Sequence, residues 1–134
     1  MEDRILVVTH SADMRDLLVP FLAQSGCKVS TAVDGRGALL RLGLCHPQLI
    51  ILDMALPGLD SWETLQRIRE LSDVPVIAFT GPNQETKLDS LRQGADYSVS
   101  CPFSMRELEA RVYALLRRVE GTVLQPAGNQ ASST

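Results

Sequence analysis

Five short runs rich in branched and aromatic residues punctuate the chain: Ile5 to Val8, Lys28 to Val33, Leu49 to Leu52, Val74 to Phe79 and Tyr97 to Val99. Stretches with helical spacing separate them, and strands alternating with amphipathic helices predict a parallel sheet covered on both faces. The third run, Leu-Ile-Ile-Leu before Asp53, is nearly pure hydrocarbon, as a central strand shielded on both sides should be. Periodicity alone does not separate it from a buried helix, but its shortness and the Leu56-Pro57-Gly58 turn that follows favour a strand.

Between the strands, Met14, Leu17, Leu18, Phe21 and Leu22 fall on one face of a predicted helix that stops at Gly26, with Pro20 inside it removing one backbone hydrogen bond and bending it. A second helix is predicted from Ser61, with Thr64 in its first turn and Trp62, Leu65, Ile68 and Leu71 inward. A third starts at Ser104 as N-cap with Glu107 three residues on, a capping box, and buries Leu108, Val112 and Leu115. After Arg118 the sequence turns small and polar, punctuated by Gly121, Pro126 and Gly128. The expected division is a folded domain over residues 1–119 and a flexible linker over 120–134 leading toward an effector domain outside this sequence. No internal repeat beyond the strand and helix alternation is visible.

The chain's 134 residues suffice for one domain with a respectable core and not for a second full module. A formal net charge of -3, with Lys and Arg not massed on one segment, gives no nucleic-acid footprint, so DNA is expected to be reached only through another domain. No stretch has the apolar length of a membrane span, and the polar start Met1-Glu2-Asp3-Arg4 lacks the basic and apolar regions of a signal peptide, so a cytoplasmic location is expected. Cys27, Cys45 and Cys101 are odd in number and share no short metal-ligand spacing, which fits reduced thiols.

Candidate chemistry gathers at the carboxyl ends of the strands, where open parallel sheets form their ligand crevice. Asp53 ends the most apolar strand; it serves either as a reactive carboxylate or as a loop-entry aspartate that binds nearby backbone N–H groups. Thr80 ends the next strand and offers a hydroxyl to the same crevice. The first strand runs out into Thr9 and His10.

The segments LIILDMALPGLDSWETLQRIRELSDVPVIAFTG and GADYSVSCPFSMRELEARVYALLRR resemble a bacterial two-component response-regulator receiver domain, of the type at the front of OmpR-type winged-helix transcription regulators. The similarity runs from about Arg4 to Arg118. It implies an α/β, flavodoxin-like (βα)5 fold with strand order 2-1-3-4-5. It implies further that Asp53 is the position phosphorylated by a histidine kinase and that Thr80 is the switch hydroxyl that swings onto the phosphoryl group. In that family two acidic residues hold Mg²⁺ at the positions of Thr9 and His10, and a lysine of a Lys-Pro-Phe triplet stands where Cys101 precedes Pro102 and Phe103. The aromatic switch position falls on Ser98, with Tyr97 one place early.

Those replacements have a physical cost. Phosphoryl transfer needs positive charge over the equatorial oxygens, and Mg²⁺ needs hard oxygen ligands. Thr9 brings a neutral hydroxyl and His10 a softer nitrogen, so Mg²⁺ binding is expected to be weak or absent and no other cofactor is implied. A phosphoaspartate would carry roughly two negative charges with neither ion nor lysine opposite. Three readings of the replacements differ from this. One alternative has His10 and Asp53 ligate a transition metal; Ser11, His10 and Asp53 contain the letters of a nucleophile triad; Cys101 is a redox switch only if positive charge stabilises its thiolate, and a packing residue in the lysine's place is the plainer account.

The resemblance also implies a homodimer through the fourth helix, fifth strand and fifth helix, tied by cross-subunit ion pairs. Lys87 would face Glu107, and Asp96 would face Arg111. Arg92 stands where the family has Glu, and Tyr113 where it has a basic residue. The resulting expectation is a non-enzymatic pseudo-receiver that regulates a transcription factor by dimerisation or by binding a partner or ligand. Its alternatives are a conventional receiver phosphorylated on Asp53 and a flavodoxin-like small-molecule binder.

Overall fold

The computed structural model describes residues 3–56, 61–81, 84–100 and 103–124, with the backbone alone at 84–87 and 118–124. The chain alternates strands and helices: β1 (Arg4–Val8), α1 (Ala12–Gln24), β2 (Lys28–Ala32), α2 (Gly35–Cys45), β3 (Leu49–Asp53), α3 (Ser61–Leu71), β4 (Val76–Thr80), α4 (Gln84–Arg92), β5 (Tyr97–Ser100) and α5 (Met105–Leu124). All strand pairs are parallel, in the order β2-β1-β3-β4-β5. This is the flavodoxin-like order expected from the resemblance.

Two hydrophobic layers explain why the inner strands show no polar alternation. Ile5, Val7, Leu49, Ile51, Ile77 and Phe79 point to one face, where Leu18 and Leu22 of α1 and Leu108 and Val112 of α5 cover them. Their neighbours Leu6, Val8, Ile50, Leu52, Val76 and Ala78 point to the other, under Ala38 and Leu42 of α2 and Leu65 and Ile68 of α3. Because side chains alternate across a strand, a sheet buried on both sides must be apolar at every position. The edge strand β2 is wetter, with Lys28 exposed.

Strand and helix ends follow local chemistry. β4 begins at Val76 rather than Val74, because Pro75 has no N–H to give the ladder. β2 stops at Ala32 and leaves Val33 exposed. Ser11 Oγ caps α1 by accepting from Met14 N, and Asp34 caps α2 by accepting from Gly37 N at 2.8 Å. Gly26, at φ 94°, supplies the left-handed turn that leads out of α1. Pro20 sits inside α1.

Two residues predicted to face inward do not. Leu17 is 48% exposed, since the buried stripe of α1 is centred on Leu18 and Leu22 and Leu17 lies on its flank. Leu71 is 69% exposed, because it is the last residue of α3, at the end where the helix leaves the layer it shares with Leu65 and Ile68. Trp62 is half-buried. The capping box at α5 is half made: Ser104 Oγ accepts from Glu107 N at 3.3 Å, but the Glu107 carboxylate turns to Tyr97 Oη. α5 runs on as helix to Leu124, through Glu120 and Gly121, where the sequence pattern placed the start of a linker. Pro57, Gly58 and residues 125–134 lie outside the described residues.

Candidate functional site

β1 and β3 are neighbours, with Val8 in register with Leu52, so the residues that follow at their carboxyl ends, Thr9 and Asp53, meet. Thr9 is 1% exposed. Its Oγ1 donates to Asp53 Oδ2 at 2.7 Å and accepts from Ser11 N at 3.1 Å, while its own N–H donates to Ala32 O. The other carboxylate oxygen, Oδ1, accepts from Ala55 N at 2.9 Å. Asp53 therefore does what a loop-entry aspartate does, and also bonds the strand beside it.

The loop after β3 is held from below. Ser61 Oγ donates to Asp53 O at 2.9 Å and accepts from Leu56 N at 3.0 Å, a clamp between β3 and the start of α3. On the other side Arg15 reaches back from α1 and donates to Thr9 O at 3.0 Å. Sequence reading missed both roles. Ser61 looked like a helix start, and Arg15 one charge among many; only the fold brings each to a carbonyl.

His10 is exposed, and among the described residues no hydrogen bond or ion pair joins it to Asp53. The described residues contain no group of three or more His, Cys, Asp or Glu that would hold a metal ion. Ser11 Oγ accepts from Met14 N at the α1 cap, and among the described residues no hydrogen bond links the side chains of Ser11, His10 and Asp53. Cys101 and Pro102 lie outside the described residues.

Thr80 and Ser98 are 3% and 2% exposed, and neither hydroxyl has a hydrogen-bond partner among the described residues. Ser98 pairs in register with Ala78 and Ser100 with Thr80, so the two hydroxyls lie on one face of adjacent strands. A cavity of about 490 Å³ lies elsewhere, against α1 and β2, lined by Arg15, Asp16, Val19, Pro20 and Thr31.

The predicted dimer residues are engaged inside the chain. Asp96 Oδ2 accepts from Arg69 Nη2 and from Val76 N, both at 2.8 Å. Arg69 also donates to Gly94 O and Val74 O, at 2.8 and 2.6 Å, which ties the end of α3 to the starts of β4 and β5. Gly94 has φ 118°, and a Cβ there would stand 3.0 Å from Arg69 Cγ. Arg111 lies over the Tyr97 ring, 4.1 Å from its centroid, and Glu107 Oε2 accepts from Tyr97 Oη at 2.9 Å. Arg92 faces Asp89 at 3.5 Å on the exposed side of α4. The Lys87 side chain lies outside the described residues.

A doubly covered sheet of this order, with an aspartate at the carboxyl end of its central strand and a threonine ending the next, is the receiver arrangement. The response regulator receiver domain family matches residues 5–113, and the chain belongs to that family. It is 41% identical over 122 residues to a probable transcriptional regulator, ycf27, of Cyanophora paradoxa, covering 90% of this chain and 51% of that protein. It is 42% identical over 119 residues to the uncharacterized transcriptional regulatory protein YrkP of Bacillus subtilis (strain 168), covering 88% of this chain and 51% of that one. The chain thus spans about half the length of these curated relatives. Among solved structures, the receiver domain of NtrX from Brucella abortus superposes with a TM-score of 0.80 at 32% identity, covering 84% of this chain and 98% of that one. The receiver domain of the Francisella response regulator 1452 gives 0.83 at 27% identity, covering 88% and 99%. Among the described residues no helix is long and apolar enough to cross a membrane.

Proposed function

We propose that this receiver domain has lost standard Mg²⁺-dependent phosphorylation and works as a regulatory association module of a transcription factor. The observation that carries the proposal is the 2.7 Å hydrogen bond from Thr9 Oγ1 to Asp53 Oδ2. A hydroxyl that gives its hydrogen to the carboxylate and accepts an N–H from Ser11 fills the place where a second acid would face a cation. Mg²⁺ demands a near-octahedral set of hard oxygens and keeps its waters reluctantly exchanged. One carboxylate already bonded twice, one neutral hydroxyl and an exposed imidazole do not fit that ion.

Without the ion and without a lysine at position 101, a phosphoryl group on Asp53 would have little to balance its charge. A unit ion pair at about 4 Å is worth roughly 4 kcal/mol at an effective dielectric near 20, so losing even a third of one such interaction costs about tenfold in rate or equilibrium. Output then rests on association. The α4–β5–α5 face supports a homodimer: Leu88 and Leu91 of α4 are 47% and 40% exposed, and Glu107 and Arg111 of α5 stand at Tyr97 of β5. The relatives' names support a role in transcription.

Intact-mass measurement after incubation with acetyl phosphate or phosphoramidate and Mg²⁺ tests the reading. No adduct is expected from the wild type, whereas a Thr9→Asp, His10→Asp, Cys101→Lys variant is expected to gain one. A stoichiometric wild-type adduct that disappears in Asp53→Asn overturns it. That outcome belongs to the second reading, a conventional receiver, which the unpartnered Thr80 hydroxyl favours because it is free to meet a phosphoryl oxygen.

A further inference from the structure

α2 is apolar on the side it buries and again on the side it shows. Ala38 and Leu42 close over the sheet, while Leu40 and Leu44, one turn apart, are 62% and 68% exposed. Such a helix at a protein surface has an unpartnered face. Beside this ridge, toward Leu71 at the end of α3, lies a hollow of about 380 Å³ lined by Leu42, Gly43, His46, Pro47 and Leu71 among others. Gly43 leaves space there that the chain itself does not use: a Cβ at that position would meet nothing within 4 Å. Glycine in a helix interior costs stability relative to alanine, and packing within the chain gives no return for it.

Charge is distributed unevenly along the same face. Arg36 is exposed in the first turn of α2, and the sequence holds no acid between Asp34 and Asp53. The last turn of α2 has no basic residue to complement its carbonyl end. At that end, Leu71 is followed and preceded by the exposed acids Asp73 and Glu70. Arg36 thus stands at one end of the patch and anionic character at the other, with Arg41 exposed beside the middle of the ridge and the hollow next to it.

We infer that the α2–α3 face is a homotypic interface, in which two copies pack α2 antiparallel on α2 about a two-fold axis. Each inserts its Leu40–Leu44 ridge into the Gly43 hollow of its mate, and Arg36 meets the mate's α2 carboxyl end and its Glu70 and Asp73. An isologous contact requires one patch to be complementary to itself under a two-fold rotation, and this patch carries both halves of the match. The interface is separate from α4–β5–α5, so a chain using both would assemble as pairs of dimers.

Sedimentation equilibrium from low to high micromolar concentration tests this on a Leu88→Glu, Leu91→Glu variant, in which the α4 face is blocked. That variant is expected to remain a reversible dimer. Adding Leu40→Glu, or Gly43→Leu to fill the hollow, is expected to weaken the dimer at least about tenfold, which is about 1.4 kcal/mol of association. Far-UV circular dichroism checks that each variant is folded. Arg36→Glu is expected to weaken self-association, and mixing it with a Glu70→Arg, Asp73→Arg chain to restore pairing between the two. A folded Leu88→Glu, Leu91→Glu variant that is monomeric throughout, or a dimer indifferent to Leu40→Glu and Gly43→Leu, overturns the inference. The first of these outcomes assigns the face to a different protein and leaves the α4 reading intact.

Discussion

Thr9 and Asp53, separated by 44 positions in sequence, share one hydrogen at 2.7 Å across the ends of adjacent strands. The bond joins a buried hydroxyl to the aspartate that ends the central strand, and it gives the carboxylate a fixed partner inside the protein. Removing it exposes its worth. In Thr9→Val the Asp53 Oδ2 and the Ser11 N–H both lose their partner at once, and stability is expected to fall by about 1–3 kcal/mol. Urea denaturation measures this, and an unchanged midpoint counts against the bond.

The unpaired hydroxyls of Thr80 and Ser98 predict the opposite sign. A buried hydroxyl without a partner carries its desolvation cost uncompensated, so Thr80→Val and Ser98→Ala are each expected to be neutral or stabilising, by up to about 1 kcal/mol. A loss of more than that in the same denaturation experiment means that the hydroxyl is paired in solution.

Arg69 holds more of the fold than its place in the sequence suggests. Arg69→Met keeps the apolar stem and removes the guanidinium bonds to Gly94 O, Val74 O and Asp96. The expected cost is about 2–3 kcal/mol, with Asp96 left to the Val76 N–H alone. Because the pair is partly exposed, most of the loss comes from the two carbonyls, and Asp96→Asn is expected to cost less.

Cys27 sets a pH dependence. Burial, reinforced by the Asp3 carboxylate, pushes its thiol above its ordinary value of 9.0. The folded protein therefore keeps a proton that the unfolded chain gives up. The stability tied to that proton is complete below the unfolded-state value and declines as pH rises above it. Cys27→Ala is expected to flatten this alkaline decline, measured by urea midpoints across that range, and iodoacetamide is expected to label Cys45 before Cys27 in the native state.

The strands were legible because burial on both faces leaves a plain mark: Ile5 to Val8 and Leu49 to Leu52 have no polar residue to interrupt them. Helix faces were less so, since Leu17 and Leu71 satisfy a spacing rule that knows nothing of where the sheet ends. At the site, Asp53 and Thr80 could be placed from strand ends, and the family pattern marked Thr9 as a changed position. The bond between Thr9 and Asp53 could not be read in advance, because it depends on the register of β1 against β3. Arg69 and Ser61 were invisible for a related reason. Apart from the Asp96 carboxylate beside Arg69, their partners are main-chain carbonyls and amides, which no sequence pattern advertises.

Pro20 leaves one gap in the hydrogen-bond ladder of α1. The carbonyl of Asp16, four residues earlier, receives no helical bond from it, and both residues border the hollow beside β2. That gap falls between the opening of α1, where Ser11 and Arg15 bond Thr9, and the turn that buries Leu22. Amide exchange is expected to be faster in that opening segment than in the turns around Leu22, and equal protection along the helix would show that the missing bond has no such effect.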